Sequence, residues 1–183
     1  MAYLEIRRHS KRERPSKHLS QEGVLLARQV GRRMGAFERV VSSSAWRCVE
    51  TAVAMGFAVD EVRDDLHMDR ADGGLPADVL ELSRFEEFAE AVAGGGRVKK
   101  FAEDLRDTWA DVARSLGRGG RGLIVGHGAM IELGAIAALP GSDHARWGKG
   151  LAVCEGVGLE FERGRFVAGQ IFRTRPRGKG SPA

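Results

Sequence analysis

Polar and apolar residues alternate over residues 3–8 and the run ends in charge, which predicts a strand. Residues 11–18 form a basic, proline-containing loop. Ser20 is placed to cap a helix in which Val24, Ala27, Gly31 and Met34 recur at helical spacing as far as Gly35. Residues 39–42 read as a short buried strand. Ser44 caps the next helix, with Val49, Ala52, Val53 and Met55 in its apolar stripe and Gly56 as its stop. Residues 60–74 are acidic and irregular. Pro76 opens a third helix, because its missing N–H would find no partner in a first turn anyway. Leu82, Phe85, Phe88 and Val92 make its inner face, and Gly94 to Gly96 end it. A fourth helix carries Val98, Phe101, Leu105, Trp109, Val112 and Leu116 on one stripe. Residues 122–126 are apolar on both faces, as a central parallel strand is. A helix follows over 129–139, stopped by Pro140-Gly141. Residues 158–162 and 165–172 make a hairpin around Arg163-Gly164.

This order predicts the α/β class: a three-layer α/β/α sandwich with a mostly parallel central sheet and a small helical cap insertion. A chain of 183 residues with 43% hydrophobic content suits one domain. That domain is expected over 3–173, with 60–97 as a cap or specificity segment and 174–183 as a basic flexible tail. A domain of this length buries roughly two-thirds of its unfolded surface, so it folds without a disulfide or a metal. Cys48 and Cys154 have neither a CxxC partner nor metal-ligand spacing, which reads as reduced thiols in a cytoplasmic protein. No segment approaches the ~20 apolar residues of a membrane helix, and no secretory leader is expected.

The net charge is +4, and arginine is spread through the chain with two denser basic places, Arg7 to Lys17 and residues 173–179. Either could meet nucleic acid. Aromatics make up only 7% of the chain and do not interleave with those charges, which argues against that partner. The edge strand of the final hairpin could pair with another chain, and oligomeric state is left open.

The chemistry gathers at strand ends. In open α/β sheets, ligands bind at the carboxyl ends of the strands. The first strand delivers Arg8 and His9. The second delivers Ser42, Ser43 and Ser44, with Arg47 one turn into the next helix. The fifth predicted helix begins just after His127-Gly128, in a near-copy of the first junction. Two guanidinium groups, two imidazoles and helix N-termini together describe an anion site, and the density of donors suits a phosphoryl group. Neutral imidazole is a competent nucleophile near pH 7. Fixed cations stabilise the charge that builds on the equatorial oxygens during attack on phosphorus. His18, His67 and His144 fit no such junction and read as surface residues. Lys11, Arg12, Arg14 and Lys17 read equally as a solvated loop or as a strip that meets an acidic substrate. The three tryptophans read as packing residues.

Four blocks in order resemble the histidine phosphatase superfamily, the phosphoglycerate-mutase-like fold. They are Arg8-His9, the segment Leu19-Ser20-Gln21-Glu22-Gly23 with Ala27, the segment Ser42 to Arg47 with Thr51-Ala52, and Val125-Gly126-His127-Gly128. The resemblance covers nearly the whole chain. It implies that His9 accepts the phosphoryl group and that Arg8, Arg47 and His127 hold it, with the Gly128 N–H orienting His127 or the phosphate. Ser10 stands where the family has glycine and is expected to donate to the phosphate. The family's acid falls in a Leu-x-Glu segment. Leu66-His67-Met68 stands there without a glutamate, leaving Asp65, Asp69, Asp72, Glu81 and Glu86, of which Asp69 is the preferred acid. The resemblance implies a metal-independent phosphomonoester hydrolase with a phosphohistidine intermediate and no cofactor, acting on a phosphorylated small molecule or phosphoprotein. The short segment 60–97 argues against a full phosphoglycerate mutase. A protein phosphohistidine phosphatase and a non-catalytic phosphate-binding or phosphoprotein-binding module are the alternatives.

Overall fold

Six strands form one sheet in the order β3-β2-β4-β1-β5-β6 in this computed structural model, which describes residues 1–68 and 74–174. The strands are β1 (Ala2–Arg8), β2 (Arg39–Ser43), β3 (Glu61–Arg63), β4 (Arg121–Gly126), β5 (Gly156–Glu162) and β6 (Arg165–Phe172). The pairs β1–β4, β2–β4 and β2–β3 are parallel, and β1–β5 and β5–β6 are antiparallel. Helices α1 (Gln21–Gly31) and α2 (Trp46–Met55) cover one face. Helices α3 (Ala77–Glu81), α4 (Phe85–Ala93), α5 (Gly96–Arg114) and α6 (Met130–Ala138) lie on the other side.

Strand alternation builds the two cores. Val40, Leu123 and Val125 face α2, where they meet Cys48 and Ala52. Their neighbours Leu4, Ile6, Val41 and Ile124 point the other way, into the larger cluster with α4, α5 and α6. Helix α6 is buried along its whole length, as its nearly unbroken apolar sequence requires. Ser20 caps α1 by accepting from the Gly23 N–H at 3.1 Å. Gly56 closes α2 in the left-handed conformation at φ 98°.

Three local expectations are corrected. The cap of α2 is Ala45, with no side-chain bond, and not Ser44. Residues 61–63, expected to be irregular, add the edge strand β3 to β2, held by an Arg39–Glu61 ion pair at 2.6 Å. The helix expected from Pro76 to Val92 is two helices, broken at residues 82–84. There the backbone turns outward to bond the 148–150 segment, with Phe85 N donating to Gly148 O and Gly150 N to Ser83 O. Glu87 Oε2 takes the freed N–H groups of Ser83 and Arg84 at 2.7 and 3.1 Å. Among the described residues, no helix is long and apolar enough to cross a membrane.

Candidate active site

Sheet register sets the site. Arg8 pairs with Gly126, and Ser42 with Val125, so β1, β2 and β4 end at one level. The residues that follow, His9, Ser43 and His127, therefore emerge side by side. His9 N donates to Gly126 O at 2.9 Å, and the two imidazoles meet edge to face with centroids 5.4 Å apart. Arg47, in the first turn of α2, bridges them. Its Nε donates to His9 Nε2 at 3.2 Å and its Nη2 to His127 Nδ1 at 3.1 Å.

These contacts fix the tautomers. His9 Nδ1 donates to the Ser10 carbonyl at 2.8 Å, which leaves the lone pair on Nε2. His127 accepts from Arg47 at Nδ1, so its Nε2 carries the proton and donates to Ser43 Oγ at 2.9 Å. Burial, with the nearby Arg47 and Arg8 guanidinium groups, pushes the His9 pKa down to about 4. Burial and Arg47 push His127 further, to about 2. Both rings are thus neutral near pH 7 in the free site. Cys48, packed against His127 at 3.6 Å, is held as a thiol, with burial raising its pKa to about 12.

Arg8 donates through Nη1 to the Leu151 carbonyl, and its guanidinium lies over Gly128. A Cβ at Gly128 would come within 2.7 Å of Arg8 Cζ, so the glycine is a seat for the arginine. Ser10 departs from expectation. Its side chain is wholly buried and its Oγ donates to Gly23 O at 2.7 Å, which turns the hydroxyl away from any phosphate. Its N–H donates to Thr51 Oγ1 at 2.9 Å, tying the loop after His9 to α2. Gly23 permits this packing, since a Cβ there would lie 2.0 Å from Lys11 O.

Asp69 and Asp72 lie outside the described residues. Asp65 pairs with Arg63 and Thr108, and Glu81 and Glu86 are exposed. His67, read as a surface residue, stacks edge to face on His127 at 5.9 Å, and Met68 Sδ receives Arg47 Nη2 at 4.0 Å. His18 is exposed and pairs with Glu50, and His144 bonds Leu139 O and stacks on Trp147. Lys11 of the basic loop pairs with Glu22.

Glu132 escaped the sequence reading. It is 2% exposed on α6, and its Oε1 accepts from Leu151 N at 2.7 Å. It lines a cavity of about 350 Å³ with Arg8, His9 and Gly128. The available signal was its place as the lone charge in Met130–Ala138. A larger cleft of about 1020 Å³ lies beside α1, Arg7 and Arg121, and is lined by neither His9 nor His127. Among the described residues, no group of three or more His, Cys, Asp or Glu side chains is arranged to hold a metal ion.

Guanidinium groups beside an unprotonated imidazole nitrogen make an arrangement that can receive a tetrahedral oxyanion. Residues 7–173 match the histidine phosphatase superfamily (branch 1), and the chain belongs to that family. No curated protein matches it. Among solved structures, phosphoserine phosphatase from Entamoeba histolytica superposes with a TM-score of 0.69 at 16% identity, covering 96% of this chain and 98% of that one. A mycobacterial glucosyl-3-phosphoglycerate phosphatase gives 0.62 at 22% identity, with 94% and 99% covered. Phosphoglycerate mutase from Bacillus anthracis str. Sterne gives 0.61 at 15% identity, with 91% and 90% covered. At these identities the likeness is one of fold.

Proposed function

We propose that this protein hydrolyses phosphomonoesters through a phosphohistidine intermediate on His9. The observation that carries the reading is the His9 ring: Nδ1–H is committed to the Ser10 carbonyl, and the Nε2 lone pair faces the Arg47 guanidinium at 3.2 Å. An incoming phosphate draws Arg47 from the imidazoles onto its oxygens, with Arg8 and the Gly128 N–H on another side. His9 Nε2 attacks phosphorus, the P–O bond to the alcohol breaks, and the guanidinium groups stabilise the charge on the equatorial oxygens. A proton picked up near a phosphate dianion makes His127 a third cation there, beside Arg47 and Arg8.

The departing oxygen needs a proton, and we assign it to Asp69. In the chain Asp69 follows Met68, whose thioether meets Arg47. The same carboxylate then takes a proton from water, which attacks phosphorus, breaks the N–P bond and releases inorganic phosphate. Transfer to water, and not to a second hydroxyl of the substrate, is favoured by the short segment between α2 and α5, which leaves little chain to close over a bound intermediate.

The test is hydrolysis of an aryl phosphate in the presence of EDTA, with rapid acid-free quenching to trap labelled enzyme. Wild type is expected to turn over and to carry label on His9. His9→Ala is expected to lose at least a thousandfold in kcat and all label. Equal turnover by His9→Ala, or no turnover by wild type on any phosphomonoester, overturns the reading.

A further inference from the structure

Strand alternation points Tyr3, Glu5 and Arg7 of β1 to the α1 side of the sheet, opposite to Leu4 and Ile6. They pave the cleft of about 1020 Å³ beside α1, and Gln170 and Phe172 of β6 extend its floor. The floor stays low because β5 brings a glycine to it. A Cβ at Gly158 would lie 1.9 Å from Tyr3 Oη and 2.9 Å from Phe172 Cε2. The charges of the floor do not balance. Buried Glu5 takes Arg7 at 2.6 Å and Arg121 at 3.5 Å, so two guanidinium groups share one carboxylate. Arg7 is spent on Glu5 and the Cys154 carbonyl. Arg121 is held less closely: its side chain is 41% exposed, and its guanidinium lies over the Tyr3 and Phe37 rings. A Cβ at Gly35 would stand 2.5 Å from Arg121 Nη1, which puts this cation near the end of α1, where Arg33 also lines the cleft. Arg33 is exposed and makes no ion pair among the described residues.

The helix side of the cleft is apolar. Leu26, Val30 and Met34 recur at helical spacing along it, and Phe172 adds a ring from the floor. Charge and apolar surface together select a ligand. A cation would be set against Arg33 and Arg121, and a neutral molecule would leave their charge unmatched. A small hydrophilic anion would leave the apolar wall in water. An anion with an apolar body satisfies both, because guanidinium pairs well with carboxylate or phosphate and the wall gains by losing water. The cleft is large enough for such a molecule, and Arg47, His9 and His127 do not line it. We propose that this cleft is a second binding site, separate from the catalytic centre, for a small molecule that joins an anionic group to an apolar body. The anionic group sits on Arg33 and Arg121, and the body lies against Val30 and Phe172. Such binding does not depend on turnover at His9.

Calorimetric titration of the full chain with four probes tests this: 1-naphthoate, 1-naphthylmethanol, 1-naphthylmethylammonium and acetate. The set separates the charge from the body. 1-Naphthoate should bind at one site with a Kd below about 1 mM. Hydrogen bonds to a charged group should give it a preference of at least about tenfold over each other probe. Arg47→Ala, which strips the catalytic centre of a cation, should leave that Kd unchanged. Arg33→Glu reverses an exposed charge and should weaken 1-naphthoate at least about fivefold, with the melting temperature unmoved. Arg121→Gln should weaken it likewise. Should Arg121→Gln fail to fold for want of the Glu5 contact, Arg33→Glu decides the matter.

No saturable binding of 1-naphthoate overturns the proposal. So does equal binding of 1-naphthylmethanol, which would leave the arginines without a role. Loss of binding in Arg47→Ala would move the ligand to the catalytic centre, and an unchanged Kd in Arg33→Glu would take it out of the cleft; either result overturns the assignment. Binding that disappears as the chain associates with itself, followed by sedimentation at rising concentration, would give the cleft to a second copy, which also overturns it. A wild type that binds 1-naphthoate as expected and hydrolyses no phosphomonoester removes the phosphatase reading and leaves this site standing.

Discussion

His9 and Arg8 are adjacent in sequence but answer to different neighbours. His9 leaves the sheet toward Arg47 and His127, and Arg8 turns across Gly128 to Leu151. The absent Cβ of Gly128 is what lets the guanidinium lie flat there. Gly128→Ala is expected to displace Arg8, because Cβ would stand 2.7–2.8 Å from Cζ, Nε and Nη1. Losing one well-aimed donor to a developing oxyanion typically costs about 10²–10³ in rate. Since Arg8 is a flexible side chain that keeps some contact, a fall of about ten- to a hundredfold in kcat/KM is expected, with vanadate inhibition weakened in parallel. The clash falls on a side chain end and leaves backbone alone, so the melting temperature should move by less than about 2 °C. Steady-state kinetics and thermal melting on the same preparation check both halves. Ser10 teaches the complementary lesson: its residue type suggested a phosphate donor, but only its packing on Gly23 shows the hydroxyl facing inward.

The elements bring these side chains together because strand ends and helix starts are set by backbone rules that leave a trace in sequence. Two apolar strands followed by histidine, and a serine-rich strand end followed by Arg47, were legible for that reason. So was α5, whose stripe from Phe101 to Val112 is buried as the helical period requires. What escaped was decided by contacts distant in sequence. Strand β3 is three residues long, too short for a period, and exists because β2 offers it an edge. The break between α3 and α4 falls inside a good apolar stripe, and is imposed by the 148–150 segment pairing with residues 83–85. Close packing between α5 and α6 was likewise invisible, although Gly134 marks it. A Cβ on Gly134 would lie 2.4 Å from Cη2 of Trp109, a ring only 1% exposed. Alanine is favoured over glycine inside a helix by about 1 kcal/mol, whereas forcing atoms into a filled core costs about 1–3 kcal/mol. With backbone and a buried indole on either side, the clash wins. Gly134→Ala should lower the melting temperature by about 2–6 °C, and denaturant melts should show a lower midpoint with an unchanged slope.

Across the whole molecule, the site is a place where folding works against protonation. His9 and His127 sit near 4 and 2 when folded, against about 6.5 in an unfolded chain. Between those values the unfolded state binds more protons, so stability rises with pH and falls as pH drops below about 6.5. The groups acting on the pair include Arg47, Arg8, Arg12, His67 and Cys48. Burial keeps the Cys48 thiol protonated through this window, so it does not offset the loss. Glu132 acts with the opposite sign: its raised pKa makes the folded state the better proton binder above the unfolded value, which favours folding toward acid. Two depressed imidazoles outweigh one raised carboxyl as pH falls from 6.5 to 5, because together they shed between about one and two protons on folding, and a single carboxyl takes up at most one. The melting temperature should therefore decline from pH 6.5 to pH 5. His127→Asn removes one of the two imidazoles and should flatten that decline. Vanadate or phosphate, by supplying the negative charge that the two arginines and a protonated His127 lack, should restore stability more at pH 5.5 than at pH 7.5. Thermal melts across this range, with and without anion, read all three effects. A wild-type melting temperature that stays level from pH 6.5 to pH 5, or an anion effect larger at the higher pH, would show that the histidines are not held neutral by the folded site.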